Sequence, residues 1–174
     1  MQTDKMLLKN LKLVSYYLIF LLLLGCSSTS TIQDDFQEND PIKSTAIKIL
    51  SLGDSYTIGQ SVCEKCRFPE QLKDSLQQRN TNLDVSLQVI ARTGWNTKNL
   101  INAIDNQNLE ADFDLVTLLI GVNNQFQRIP FSTFESEFSV LIEKATKSAN
   151  SQKEKLIVLS IPDYAFTPFG RDNT

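Results

Sequence analysis

Histidine is absent from all 174 residues. Without imidazole there is no HExxH metalloprotease site and no Cys2His2 finger. Nor can a Ser-His-Asp triad be completed within these residues. Cysteine is scarce: Cys26, Cys63 and Cys66 are too few for a disulfide scaffold. Basic residues are not in excess, since 17 Lys and Arg face 20 Asp and Glu for a net charge of -3. A nucleic-acid partner is therefore not expected, because phosphate binding needs a basic face. Internal repeats are missing as well. What the chain does have is 41% hydrophobic and 21% charged residues, enough to bury one domain-sized core. No metal or organic cofactor is implied.

The first 25 residues read as an address. Lys5, Lys9 and Lys12 precede an apolar run over residues 18–24, which is shorter than the ~20 residues a bilayer span takes. Leu23-Leu24-Gly25-Cys26 resembles a bacterial lipobox, in which the cysteine is lipidated and becomes the first mature residue. The alternative is an uncleaved anchor with a chance cysteine. The resemblance implies a cell-envelope protein, held to a bacterial membrane on the periplasmic or outer-membrane side through Cys26. Residues 26–45 are Ser/Thr-rich and then acidic, as in a flexible tether. The folding domain is expected over 46–174.

Within it strand and helix patterns alternate. Ala46–Leu52, Leu83–Ala91, Phe113–Ile120 and Leu156–Ile161 read as strands. Between them lie a helix opened by Pro69 with Leu72 and Leu76 on one face, and one capped by Asn96 or Thr97 with Leu100, Ile101 and Ile104 inward. A third carries Phe138, Leu141, Ile142 and Ala145, with Ser132 and Glu135 as its capping box. This order predicts a parallel sheet covered on both faces, with its chemistry at the carboxyl ends of the strands. Those ends read Gly53-Asp54-Ser55, Arg92-Thr93-Gly94, Gly121-Val122-Asn123-Asn124 and Pro162-Asp163.

Taken singly, these are ordinary turn and cap residues. Three of them in order, each after a successive strand, resemble the blocks of the SGNH/GDSL hydrolase family: Gly53-Asp54-Ser55, then Gly94, then Gly121-Val122-Asn123-Asn124. The resemblance covers roughly residues 46–170. It implies a flavodoxin-like three-layer α/β/α sandwich with a parallel sheet. It also implies an ester hydrolase without cofactor, acting on a small acyl-ester substrate. Ser55 would be the nucleophile. The N–H groups of Ser55 and Gly94 and the amide of Asn123 would hold the developing oxyanion. Asp54 would support the nucleophile loop. Asn124 stands where an aspartate is common, which bears on how that loop is supported.

The family's D-x-x-H block, which carries the base and its orienting acid, is missing. The expectation is a truncated product lacking the last strand and helix. A pseudoenzyme, an envelope lipoprotein using the fold as a binding module, is the alternative. Asp163 follows the wrong strand to be the triad acid and reads as a loop residue. Cys63-Glu64-Lys65-Cys66 has no second ligand pair for zinc, so a small disulfide is expected, contributing at most about 2 kcal/mol. Trp95 is either a wall of the acyl pocket or a core aromatic.

Overall fold

The computed structural model describes residues 44–163 and Phe166. The expected signal peptide, Cys26 and all but the last two residues of the tether lie outside the described residues. Four strands form one parallel sheet in the order β2-β1-β3-β4. They are β1 (Thr45–Gly53), β2 (Leu83–Ala91), β3 (Leu115–Leu119) and β4 (Leu156–Val158). β1 lies between β2 and β3, and residues 49–53 are all buried. That position explains its near-continuous apolar run, since an inner parallel strand is covered on both faces.

Among the described residues five α-helices follow in chain order: α1 (Ser55–Ile58), α2 (Phe68–Arg79), α3 (Thr97–Asp105), α4 (Val122–Phe126) and α5 (Phe131–Ser148). Leu50, Leu52, Val116 and Leu118 point to one face of the sheet. They meet Leu100, Ile101 and Ile104 of α3 and Leu141 and Ala145 of α5 in one buried cluster. Each buried Leu, Ile or Val side chain there contributes roughly 1.5–3 kcal/mol relative to exposure. Side chains alternate along a strand, so Ile49, Ser51 and Thr117 face the other way. There Thr117 donates to Ser51 Oγ at 2.9 Å, which satisfies two buried hydroxyls. α2 packs on β2 and takes no part in the first cluster, so it serves this second face.

Three expectations are corrected. β3 is shorter than Phe113–Ile120, because the N–H groups of Phe113 and Asp114 are bonded to the Ser148 and Lys48 carbonyls before the strand begins. β4 ends at Val158 rather than Ile161. Its partner β3 ends at Leu119, and the chain turns away at Gly121 (φ 132°). Ser132 and Glu135 make no capping box: α5 starts at Phe131, Pro130 is its N-cap, and both residues already lie inside the helix. The short α4 was not expected, since five residues carry too little periodicity to read.

The register decides where the chemistry can be. Gly53 pairs with Ala91 on one side and Leu119 on the other. The carboxyl ends of β1, β2 and β3 are therefore level, and the three following loops leave from one edge. The neighbours of β1 continue in opposite directions, and such a switch in strand order is where open α/β sheets leave a crevice.

Candidate active site

Gly53 closes β1 because nothing larger fits. A Cβ there would stand 2.0 Å from Thr57 Oγ1 and 2.4 Å from the Leu119 carbonyl oxygen. The chain then turns directly into α1, whose N-cap is Asp54. Asp54 is fully buried, and its Oδ1 accepts from the Tyr56 N–H at 3.0 Å. Its Oδ2 and the Thr57 hydroxyl are buried without a hydrogen-bond partner. Burial pushes the Asp54 carboxyl above its ordinary range, against the pull of the Tyr56 N–H and its own N–H. Ser55 is the first residue of the helix and is half-buried. A first-turn N–H has no intrahelical acceptor and points outward.

Gly94 follows β2 with φ 80°, in the left-handed region that favours glycine. A Cβ would meet nothing within 4 Å, so conformation rather than space calls for glycine here. Gly121 follows β3 and needs glycine twice over. Its φ is 132°, and a Cβ would lie 2.8 Å from Phe134 Cε2. The turn launches α4, which carries Asn123 and Asn124.

The three loops meet. Ser55, Gly94 and Asn123 line one cavity of about 410 Å3, with Tyr56, Gln60, Thr93, Val122 and Phe126 around them. A larger cavity of about 590 Å3 beside Lys48, Gln88 and Asp112 contains none of the motif residues. Lys48 there is already paired with Glu110 and Asp112.

Hydrogen bonds clamp the Gly94 loop to the Asn123 loop. Asn123 Nδ2 donates to the Trp95 carbonyl at 2.8 Å, which leaves its second N–H for another acceptor. Gln127 Nε2 donates to the Gly94 carbonyl at 3.1 Å, while its Oε1 accepts from Asn96 Nδ2 at 2.8 Å. Asn124 Oδ1 accepts from the Thr97 N–H at 3.1 Å, and its Nδ2 reaches Thr97 Oγ1 at 2.6 Å. Thr97 Oγ1 is bonded in turn to Glu137 of α5. Motif reading did not single out Thr97, Gln127 or Glu137 for the site. Nothing local marks them, because each acts on a segment 27 to 40 residues away in sequence.

Asn124, expected as loop support, is 2% exposed and ties its loop to α3. Trp95 does not line the cavity around Ser55. Its ring packs against the core cluster, and only its carbonyl serves the site. Cys63 and Cys66 are joined in a disulfide, in the exposed loop between α1 and α2. Asp163 lies outside helix and strand. Among the described residues no group of three or more His, Cys, Asp or Glu could hold a metal ion.

Residues 51–174 match the model of the GDSL-like lipase/acylhydrolase family. The fold is similar to the crystal structure of TesA, with TM-score 0.57 and 15% identity over 72% of this chain. It is also similar to the lipase Lip_vut3 from goat rumen metagenome, with TM-score 0.53 and 19% identity over 71% of this chain and 67% of that one. A mutant of the esterase AlinE4 gives TM-score 0.50 and 19% identity over 74% and 67% of the two chains. At these identities the likeness shows the fold. The chain spans 67% of the TesA chain and 59% of an unmutated AlinE4 chain. Among curated proteins none matches significantly.

Proposed function

The chain belongs to the GDSL-like lipase/acylhydrolase family, and from that premise we propose that it is a serine ester hydrolase working through an acyl-enzyme on Ser55. The observation that carries this reading is the convergence of Ser55, Gly94 and Asn123 on one cavity from the ends of three adjacent strands. A serine hydroxyl becomes a competent nucleophile when a base takes its proton. Ser55 Oγ attacks the ester carbonyl carbon, and the carbonyl oxygen gains the negative charge. The Ser55 N–H, the Gly94 N–H and the second N–H of Asn123 Nδ2 are the donors for that charge. A preorganised donor of this kind is worth roughly 3–4 kcal/mol. Collapse expels the alcohol and leaves the acyl group on Ser55, and water then releases it as the acid. The 174 residues hold no histidine, so the proton acceptor is proposed to come from outside them.

The alternative is a non-catalytic binding module on the same fold. Membrane attachment through Cys26 is part of both proposals and rests on the signal-like residues 1–26.

An external base separates the two readings. The chain is incubated with p-nitrophenyl acetate in the presence of imidazole, and the acetylated residue is located by mass spectrometry after digestion. Selective acetylation of Ser55, lost in Ser55→Ala, is the expected result. Acetyl transfer to Ser55 no faster than to exposed serines elsewhere on the chain would overturn the hydrolase reading in favour of the binding module.

A further inference from the structure

The clamp between the two loops ends on a carboxylate that the reaction does not use. Thr97 is fully buried and Asn124 nearly so, so solvent cannot complete their hydrogen bonds. Thr97 Oγ1 has two partners, Glu137 Oε2 and Asn124 Nδ2. A hydroxyl carries one proton, a carboxylate accepts, and an amide NH2 only donates. The direction of each bond follows. The Thr97 proton goes to Glu137, and Asn124 Nδ2 donates to the hydroxyl lone pair. The amide is thereby fixed in one rotation, with Oδ1 facing the Thr97 N–H at 3.1 Å. An aspartate in place of Asn124 would leave two carboxylates competing for a single hydroxyl proton.

We propose that Glu137 is a positioning residue for the oxyanion-binding loops, acting through Thr97 and Asn124, and that it is the reason the clamp takes an amide at position 124. The proposal rests on the reading of Ser55 as the acyl acceptor. The path to the donors is short. Asn124 adjoins Asn123, and Asn123 holds the carbonyl of Trp95, which adjoins Gly94. A clamp loosened at Thr97 separates two donors that come from different loops. Glu137 is half-buried on α5, away from the residues lining the Ser55 cavity.

The test is a reciprocal rescue. Asn124→Asp should slow imidazole-assisted acetylation of Ser55 about tenfold, within the range for coupled neighbours. Adding Glu137→Gln should restore most of the rate, because the glutamine amide can donate to the Thr97 hydroxyl while that hydroxyl donates to the introduced carboxylate. Glu137→Gln alone should be mild, since its Oε1 still accepts. The side-chain amide resonances of Asn123 are followed by NMR in each variant, and they should shift in Asn124→Asp and return in the double variant. An Asn124→Asp defect that is the same with and without Glu137→Gln, in rate and in spectrum, would overturn the proposal. If the wild-type chain fails to acetylate at Ser55, the spectra still decide on Glu137, and the hydrolase reading fails separately.

Discussion

Asp54 does two opposed things in one turn. Its Oδ1 caps the helix that presents Ser55, while its Oδ2 is buried with no partner. Desolvation raises the carboxyl above its usual value of 3.8. A carboxyl whose folded pKa is raised binds its proton more tightly in the folded state. Its contribution is fully present below the unfolded pKa and is lost as pH rises through the folded one. Asp54→Asn keeps a capping oxygen and removes the titration. The melting temperature of the wild type relative to Asp54→Asn should therefore fall as pH rises above about 4. A difference that moves in the wild type's favour with rising pH would contradict this assignment. At this scale, the placement of Gly53-Asp54-Ser55, Gly94 and Asn123 after strand ends was legible, because each lies within a few residues of one. Glu137 was not. Its partner Thr97 lies 40 residues away, and only packing brings them together.

Helix starts separate what local pattern can and cannot tell. Asn96 caps α3 in a true capping box: its side chain accepts from the Asn99 N–H at 3.1 Å, and Asn99 Oδ1 accepts from the Asn96 N–H at 3.2 Å. The Ser132-x-x-Glu135 pattern looks equally good in sequence, yet Pro130 fixes the start of α5 ahead of where that box would put it. Asn96→Ala should cost about 1–2 kcal/mol in denaturant unfolding, since it also holds Gln127. Ser132→Ala should stay within about 0.5 kcal/mol. Equal costs for the two would mean that the N-termini are wrongly assigned. The strands were legible to within a few residues: the inner strand β1 writes itself as a near-continuous apolar run, and the edge strand β2, read at its observed bounds, alternates apolar and polar residues. The lengths of β3 and β4 were not legible, since hydrogen bonds to α5 and the turn at Gly121 decide them.

The alternation of strand and helix carried the molecule's parallel architecture, and the observed order β2-β1-β3-β4 places three loops at one switch point. A base for the proposed nucleophile Ser55 was not legible, because no histidine is present in the 174 residues. The envelope proposal belongs to this scale too. Expressed in a bacterium, Cys26→Ala should lose lipid labelling and leave the membrane fraction. Labelling that persists in that variant would remove the anchor from the account. The central claim is that three strand ends assemble one oxyanion site around Ser55, with Asn123 as its side-chain donor. The most direct measurement is the rate of imidazole-assisted Ser55 acetylation in Asn123→Ala against the wild type, with the fold checked by melting. Because Asn123 meets the oxygen as charge develops, the rate should fall by about 10²–10³ while melting changes little. An unchanged rate in a folded Asn123→Ala chain would contradict the claim.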